Sequence, residues 1–305
     1  MLDSTTNLRD GLPKGIHRIR ALPDPQLALL WDSIHVGAGQ KEQLLSQAVL
    51  NFTLRAQVPR TVLPLHGVIL LVGPPGTGKT SLALGLADRV ARSFKSNGFR
   101  LVEVDPHQLA NSALGKTQRA VSDLFSEALR SVAGSAPTVV LLDEVETLAV
   151  DRSRLSMDAN PIDVHRATDA VLVQLDLLAE SNPNLLFVAT SNFPQALDEA
   201  FTSRCDLVIE VPLPDIEGCR RILGDCVLGL GQTYPTIGKL VGAEGFDAAV
   251  AACVGLDGRA IRKAVGNALA SSPETAMDPG KVTLADIHGA AEAARKARLA
   301  AGGKA

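Results

Sequence analysis

An apolar segment that runs straight into a glycine-rich loop constrains the fold of this chain more than any other feature. The segment is Val68-Ile69-Leu70-Leu71-Val72, and the loop is Gly73-Pro74-Pro75-Gly76-Thr77-Gly78-Lys79-Thr80. A helical pattern opens at the end of the loop, so the order is strand, loop, helix. This order turns backbone N–H groups and a partly positive helix N-terminus toward one point, where a phosphate group can bind. We predict an α/β domain with a nucleoside triphosphate site at this loop.

The residue types in the loop each suit a task in phosphate binding. Gly76 and Gly78 permit the positive φ values that a tight wrap requires. Lys79 is expected to reach the β- and γ-phosphates, and the Thr80 hydroxyl is expected to ligate Mg²⁺. The nucleotide contacts predicted in this segment are Gly73, Pro74, Pro75, Gly76, Thr77, Gly78, Lys79, Thr80 and Ser81.

Two carboxylates end a second apolar run. Asp143 and Glu144 directly follow Val139-Val140-Leu141-Leu142, a predicted buried strand. Burying a carboxylate at the mouth of a parallel sheet costs free energy unless a cation or a proton transfer makes use of it. Asp143 is therefore expected to hold Mg²⁺ through its water shell, and Glu144 to polarise the water that attacks the γ-phosphate. The alternative is a solvated strand end.

A third apolar run ends in polar residues at Asn192. It reads Leu185-Leu186-Phe187-Val188-Ala189-Thr190-Ser191-Asn192. A neutral amide can orient a water molecule or hydrogen-bond a phosphate without changing its own charge. We expect Asn192 to do so beside the first two strand ends. Taken alone, Thr-Ser-Asn is an ordinary turn sequence.

The hydrophobic pattern divides the chain into an arm, an α/β domain and a helical domain. Strands are predicted at 68–72, 100–104, 138–142, 185–190 and 207–211. Helices are predicted at 39–55, 79–94, 117–133 and 165–180, which favours a parallel sheet covered on both faces. After Pro214 only helical patterns follow, at 216–230, 247–254, 258–271 and 284–299. The predicted boundaries are 1–25 for an N-terminal arm, 26–214 for the large domain and 215–305 for a helical lid domain.

Composition narrows the class of partner. The chain has 305 residues, of which 46% are hydrophobic, and a formal net charge of −3. This balance gives no electrostatic footprint for nucleic acid or for an anionic membrane, so a protein partner is favoured. We find no apolar run of membrane-spanning length and no signal-peptide pattern, and expect a cytoplasmic protein. The four cysteines lack metal-binding spacing, and Cys219 and Cys226, seven residues apart on a helical pattern, are expected to face one side of a core as small hydrophobic residues.

Four motifs in this order resemble the AAA+ ATPases. They are GPPGTGKT at 73–80, LLDE at 141–144, ATSN at 189–192 and Ser203-Arg204-Cys205-Asp206. The resemblance covers about residues 25–270 and implies an α/β AAA+ P-loop NTPase that binds ATP and Mg²⁺. It also implies a ring, usually a hexamer, in which Arg204 reaches the nucleotide of the neighbouring subunit and neutralises charge on the γ-phosphoryl oxygens. The alternative is a surface arginine, and Leu207 stands where many relatives have a second arginine.

Arg259 lies in the first turn of a predicted helix, where a cation gains nothing from the helix dipole. This position suggests an anionic partner elsewhere. In relatives with Gly-Arg here, the arginine senses the γ-phosphate from the lid, so Arg259 is expected to couple the nucleotide state to the lid angle. The alternative is an exposed helix residue.

Two further segments are similar to the pachytene-checkpoint family of AAA+ ATPases. One contains Leu22-Pro23 and Leu30-Trp31-Asp32-Ser33-Ile34, and the other is 160–176. Members of this family use ATP to unfold part of HORMA-domain proteins, which implies a HORMA-domain client. By the same analogy, Val36 and Gly37 are expected to contact adenine through backbone atoms. The alternative for Trp31 is an ordinary core aromatic.

The chain departs from the family in two places. Only about 25 residues precede the ATPase core, whereas eukaryotic members carry a substrate-recognising N-terminal domain. The pore loop is expected at 109–116, where Ala113 replaces the gripping aromatic of many relatives and leaves Leu114 to hold apolar side chains. A second pore loop is expected within 151–163, with a mobile surface loop as the alternative.

The short form resembles bacterial members that act on HORMA proteins in cyclic-oligonucleotide anti-phage signalling. The leading hypothesis is therefore a hexameric, Mg-ATP-dependent remodeller of a protein client. Two alternatives stay open, namely a nucleotide-gated scaffold without catalysis and a loader or motor on nucleic acid. The presence of Asp143, Glu144 and Arg204 argues against the first. The acidic balance argues against the second.

Overall fold

The structure is a computed structural model that describes residues 12–37, 39–94, 98–106, 117–134, 136–149 and 161–302. The predicted pore residues Ala113 and Leu114 lie outside these ranges. Residues 151–160 of the second candidate pore loop also lie outside these ranges. Among the described residues, no helix combines the length and the apolar composition that a membrane span needs.

Contacts between residues divide the chain into two compact units. The first contains the described residues up to Asp32, those from 39 to Gly73, and those from Lys79 to Glu210. The second contains Ser33–Gly37, Pro74–Gly78 and the described residues from Val211 onward. This division begins the second unit at 211 instead of 215. It also places Ser33–Gly37 and Pro74–Gly78 in the second unit, whereas the sequence predicts both segments in the large domain.

A six-stranded sheet forms the centre of the first unit in the part of the chain that the structure describes. Its strands are β1 (Ile16–Leu22), β2 (Val68–Val72), β3 (Phe99–Val104), β4 (Thr138–Leu142), β5 (Leu185–Ser191) and β6 (Leu207–Glu210). Their order across the sheet is β1-β3-β4-β5-β2-β6. Every neighbouring pair is parallel except β1 with β3. The carboxyl ends of β2, β4 and β5 therefore share one edge.

The helices of the first unit largely follow the predicted ranges. They are α1 (Pro25–Ser33), α2 (Gln40–Leu54), α3 (Lys79–Ser93), α4 (Thr117–Asp123), α5 (Leu129–Ala133), α6 (Pro161–Ser181) and α7 (Glu199–Thr202). A π-helical turn at Leu124–Ala128 joins α4 to α5, so the predicted helix 117–133 is continuous but widened once. Short 3₁₀ turns lie at Val145–Thr147 and Pro194–Ala196.

Burial explains why three neighbouring strands of the sheet, β4, β5 and β2, are continuous aliphatic runs in the sequence. β2, β4 and β5 are buried along their whole length. A parallel sheet that is covered on both faces needs apolar residues at every position, so alternation is lost. Phe125 and Phe187 stack with ring centres 5.8 Å apart. The predicted fold class is confirmed.

The predicted N-terminal arm is wrong for residues 16–22, which form β1. β1 pairs antiparallel with β3, and Ile16 and Leu22 are buried. Arg20 Nε also donates to Glu103 Oε1 on β3 at 3.1 Å. An edge strand pairs on one side only and keeps polar residues. The segment therefore lacked the apolar run by which the other strands were found.

Trp31 packs as a core aromatic, in agreement with the alternative that we kept open. Its side chain is buried on α1. A Cβ atom placed on Gly85 of α3 would lie 2.6 Å from Trp31 N, so the two helices approach each other closely. Lys41 Nζ donates to Trp31 O at 2.6 Å and lies 5.2 Å from the centre of its ring. Packing accounts for this residue.

The regular structure described in the second unit is helical. It comprises α8 (Ile216–Gly231), α9 (Pro235–Gly238), α10 (Phe246–Cys253), α11 (Gly258–Leu269), α12 (Pro273–Met277), a 3₁₀ turn (Pro279–Lys281) and α13 (Leu284–Gly302). Cys219 and Cys253 lie in its apolar core, and Cys226 packs against that core. Burial raises the pKa of the Cys253 thiol to about 12 and that of Cys219 to about 11. Cys219 and Cys226 pack as small hydrophobic residues, as expected, and Cys253 does the same.

Candidate nucleotide-binding site

The glycine-rich loop connects β2 to α3 and requires glycine at several positions. Gly73, Gly76 and Gly78 have φ values of 147°, 81° and 95°, which residues with side chains rarely adopt. A Cβ atom on Gly76 would lie 2.2 Å from Asp257 Oδ1, and one on Gly78 would lie 2.5 Å from Ile34 Cδ1. Backbone angle and packed neighbours therefore both require glycine at positions 76 and 78. Positive φ values at three glycines are what the tight wrap of a phosphate-binding loop requires.

Lys79 is the first residue of α3. Its side chain is buried, and Nζ donates to Gly73 O at 2.8 Å. A lysine is seldom fully buried unless an anion or a set of acceptors compensates its charge. The position suits a phosphate-binding cation. The nucleotide contacts of Pro74, Pro75, Thr77 and Ser81 stay predictions, although Thr77 Oγ1 closes the loop internally by donating to Pro74 O at 3.0 Å.

Asp143 connects two elements of the first unit. Thr80 Oγ1 of α3 donates to Asp143 Oδ1 at 2.8 Å. Thr190 Oγ1 of β5 donates to the same oxygen at 2.5 Å. Mg²⁺ prefers oxygen ligands, and here a hydroxyl and a carboxylate lie side by side. The donor set formed by Thr80 and Asp143 therefore fits the predicted magnesium ion.

Glu144 and Asn192 form a second polar pair at the same sheet edge. Asn192 Nδ2 donates to Glu144 Oε1 at 3.1 Å, and Asn192 N donates to Glu146 Oε1 at 3.0 Å. Among the residues that the structure describes, Glu144 is the only one besides glycine with a positive φ, at 54°. Such backbone strain persists where the surroundings hold it, and it clusters at functional sites. The structure thus brings the predicted water-polarising acid and the predicted orienting amide into contact.

Thr190 is a residue of this site that sequence reasoning missed. Besides donating to Asp143, its hydroxyl accepts from Glu144 N at 3.1 Å. One side chain therefore fixes both acids, and it holds Glu144 in its unusual conformation. A hydroxyl two residues before Asn192 on a buried strand was the available signal.

His17 is a second missed residue. The register of β1 against β3 shifts between Ile16 and Arg18, so His17 lies on a β-bulge. Bulges often re-aim a side chain beside an active site. His17 lines a cavity of about 240 Å³ together with Thr80 and the two acids, Asp143 and Glu144. No sequence signal pointed to it, because β1 itself was not predicted.

Arg204 is held within its own chain. Its Nε lies 2.9 Å from Asp176 Oδ1 and its Nη2 lies 2.7 Å from Asp176 Oδ2. Nη1 donates to Ala200 O at 2.7 Å. The hydrogen bond with Asp176 raises the pKa of Arg204, and the same bond lowers the pKa of Asp176. The predicted role of Arg204 at a neighbouring subunit stays a prediction.

Arg259, Val36 and Gly37 belong to the second unit. Arg259 is the second residue of α11, and its side chain is exposed. Its backbone N donates to Gly76 O at 3.3 Å, so α11 begins against the loop segment Pro74–Gly78. The predicted contacts of Arg259 with the γ-phosphate, and of Val36 and Gly37 with adenine, stay predictions.

The strand–loop–helix cradle, the buried lysine and the strand-end carboxylates define a P-loop nucleotide-binding protein. Comparison with known proteins narrows this class. The family of ATPases associated with various cellular activities (AAA) matches residues 69–213.

Two curated relatives narrow the family further, and one solved structure shares the fold. CD-NTase-associated protein 6 of Pseudomonas aeruginosa is 65% identical over 95% of this chain and 96% of its own length. The Pachytene checkpoint protein 2 homolog of Oryza sativa subsp. indica is 36% identical over 74% of this chain, which spans 48% of that relative. A chain of the E. coli MS115-1 HORMA:CdnC:Trip13 complex matches the fold with a TM-score of 0.73 at 18% identity, over 92% of this chain and 96% of that one. The chain belongs to the AAA ATPases, in the family of the pachytene checkpoint proteins and CD-NTase-associated protein 6.

Proposed function

We propose that this chain is the ATP-hydrolysing subunit of a homohexameric ring that partly unfolds a protein client. The observation that carries the proposal is the polar cluster around Asp143 and Glu144. Thr80 and Thr190 donate to Asp143, and Asn192 donates to Glu144. A scaffold that merely binds nucleotide has no use for a strained acid aimed by an amide, whereas hydrolysis needs both a base and an orienting group.

Each side chain of the cluster has a distinct task in this proposal. Thr80 and Asp143 hold Mg²⁺, which supplies charge neutralisation for the phosphate oxygens when bound. Lys79 supplies a fixed positive charge at the β- and γ-phosphates. Glu144 accepts a proton from the attacking water, and Asn192 holds Glu144 and that water in line. Thr190 serves both acids, because its hydroxyl donates to the Asp143 carboxylate and accepts from the Glu144 backbone N–H.

The ring follows from the need for a further cation at the γ-phosphate. Arg204 lies on the loop after α7 and forms its ion pair with Asp176 of α6. In the proposal, its guanidinium serves the nucleotide of the next subunit, where it neutralises charge that spreads as the bond to the γ-phosphate breaks. Arg259, a residue of the second unit, senses the γ-phosphate and makes the conformation of that unit depend on the bound nucleotide. A hexamer is the usual ring of this family.

The identity of the client rests on relatives. CD-NTase-associated protein 6 is named for its association with a CD-NTase, and the solved E. coli complex is one of HORMA, CdnC and Trip13. We propose a HORMA-domain protein as client, and a role in bacterial cyclic-oligonucleotide anti-phage signalling. The net charge of −3 favours a protein client over nucleic acid.

Glu144→Gln tests the proposed chemistry. It removes the proton acceptor but keeps a side chain of the same size, so the rate of ATP hydrolysis is expected to fall by about 10²- to 10⁴-fold while nucleotide binding is retained. Glu42→Gln, which changes an exposed carboxylate on α2, is the matched control and leaves the rate unchanged. An unchanged rate for Glu144→Gln at saturating ATP would refute the mechanism.

The client is tested with a purified HORMA-domain protein encoded by the same genome. We expect it to raise the rate of ATP hydrolysis and, with ATP present, to lose protection of its amide hydrogens against exchange. The Glu144→Gln ring should bind it without exposing those amides. Stimulation of the ATPase by DNA or RNA but not by the HORMA protein would favour the nucleic acid motor. Absence of turnover under all these conditions would favour the scaffold.

A further inference from the structure

A carboxylate packs against the phosphate-binding segment within the second unit. A Cβ atom on Gly76 would lie 2.2 Å from Asp257 Oδ1 and 2.5 Å from Asp257 Cγ. The carboxylate therefore occupies the space where any other residue at position 76 would have a side chain. Arg259 N donates to Gly76 O at 3.3 Å beside it. Together these contacts join the segment Pro74–Gly78 to the first turn of α11.

Asp257 caps the N-terminus of α11, but capping does not require its charge. Its Oδ1 accepts from Ala260 N at 2.9 Å, with extended backbone angles of −80° and 165°. Asparagine and serine cap helices about as well as aspartate does. A full negative charge next to a loop that has to bind a triphosphate opposes that binding, because like charges repel. The charge therefore needs compensation.

Arg298 supplies that compensation from the last helix. Its Nη1 lies 2.8 Å from Asp257 Oδ2, the oxygen that does not cap the helix. The Asp257 side chain is only 16% exposed, so water screens its charge weakly. Each carboxylate oxygen thus has its own partner, one from α11 and one from α13.

We infer that Arg298 is a positioning residue for the nucleotide that acts through Asp257. It cancels the negative charge beside the phosphate-binding segment and holds the cap of α11 against Gly76. The inference rests on the proposed nucleotide binding. It also gives α13 a task, since this helix links the end of the chain to the loop at which ATP binds.

Arg298→Gln tests the inference. Glutamine is a good helix former, so α13 is preserved while the charge is lost. The dissociation constant of Mg-ADP, measured by equilibrium titration on the full chain, is expected to rise about three- to tenfold. Adding Asp257→Asn should return it to within about twofold of the wild type, because asparagine keeps the cap without the charge. Arg298→Lys retains the positive charge and should bind more tightly than Arg298→Gln.

Arg295→Gln is the matched control. Arg295 lies on the same helix with a similar exposure, 38% against 37% for Arg298, and it pairs with Glu292 of its own helix. Its removal should leave Mg-ADP affinity unchanged. A thermal melt of each variant without nucleotide reports any loss of folding.

Wild-type affinity in Arg298→Gln would overturn the inference. So would a double variant as weak as Arg298→Gln, because Arg298 would then not act through Asp257. If the wild type itself bound no Mg-ADP, the proposed function would fail and the inference with it. A wild type that binds and an Arg298→Gln variant that binds equally well would leave the proposed function intact and refute only the role of Arg298.

Discussion

Arg204 and Asp176 form a forked ion pair in which Nε and Nη2 of the arginine each meet a different carboxylate oxygen, at 2.9 and 2.7 Å. His66 Nε2 lies 3.5 Å from the same carboxylate. Two parallel hydrogen bonds fix the plane of a guanidinium as well as its place. The arginine that the proposed ring needs at a neighbouring subunit is therefore already oriented in the single chain. Two predictions follow from this relationship.

The ion pair should contribute to stability in a manner that depends on pH. Its hydrogen bond lowers the pKa of Asp176, so the folded chain binds fewer protons there than the unfolded chain does. The contribution is complete above the ordinary aspartate pKa of about 4 and is lost as the pH falls below it. Asp176→Asn should therefore show a shallower loss of stability in acid than the wild type, measured by denaturant unfolding at successive pH values.

Asp123→Asn is the control for this experiment. Asp123 pairs with Arg119 at 3.8 Å, and both side chains are largely exposed. Exposed pairs contribute little to stability, so the acid limb should match that of the wild type. An Asp176→Asn variant with the wild-type acid limb would show that the ion pair does not contribute.

Mixed rings should reveal whether Arg204 acts on the neighbouring subunit. Arg204→Ala alone and Glu144→Gln alone are each expected to lose about 10³-fold or more in ATP hydrolysis. In a mixture, some interfaces combine an intact Glu144 with an intact Arg204 from the next subunit. Steady-state assays of the mixture should therefore show turnover well above that of either variant.

The control is a mixture of two preparations of Glu144→Gln, which can form no intact interface. If turnover in the mixed rings stays at the level of the separate variants, Arg204 does not act on the nucleotide of the neighbouring subunit.

The sequence was sufficient to predict those parts of the site that depend on backbone chemistry. A loop that needs positive φ at Gly76 and Gly78 and a buried strand that ends at Asp143 are patterns with few other physical explanations. The order of buried strands then fixes which polar ends share an edge. Thr80, Asp143, Glu144 and Asn192 were brought together on that basis, and the structure joins them in two hydrogen-bonded pairs, Thr80 with Asp143 and Asn192 with Glu144.

The parts that escaped prediction depend on pairing across long stretches of sequence. His17 became visible only with β1, an edge strand whose polar residues look like a loop. Asp176 gave no signal, because an acid on a helix is ordinary until Arg204 is placed opposite it. The same is true of Arg298 and Asp257, which are 41 residues apart in the chain. Side-chain pairs of this kind carry no periodicity that a single sequence can show.

Thr190 should be required for hydrolysis although it is not expected to touch the nucleotide. Thr190→Val keeps the shape of the side chain and removes the hydroxyl that bonds Asp143 and Glu144. Loss of such a supporting hydrogen bond typically lowers metal affinity or activity by about 10- to 100-fold. We expect a higher Mg²⁺ concentration for half-maximal ATPase rate and a lower maximal rate.

Thr138→Val is the matched control for this substitution. Thr138 is buried like Thr190, but it is the first residue of β4 and lies at the edge of the sheet opposite to Asp143. Its hydroxyl donates to Ala136 O. Its removal should affect stability but not the Mg²⁺ dependence. Equal Mg²⁺ curves for Thr190→Val and the wild type would show that the hydroxyl is dispensable for the site.

Gly76→Ala should show that the contact with Asp257, and not only the backbone angle, demands glycine. Gly76 and Gly242 lie in the second unit with φ values of 81° and 80°, yet a Cβ on Gly242 would meet nothing within 4 Å. Alanine at either position should lose about 1–2 kcal/mol of stability to the left-handed conformation. Only Gly76→Ala also displaces Asp257 from its bonds with Ala260 and Arg298.

We therefore expect the control, Gly242→Ala, to bind Mg-ADP like the wild type. Gly76→Ala should melt at a lower temperature than Gly242→Ala, and it should bind Mg-ADP at least about tenfold more weakly than the wild type. Equal melting and equal affinity in the two variants would mean that Asp257 yields without cost, and that the backbone angle alone selects glycine at position 76.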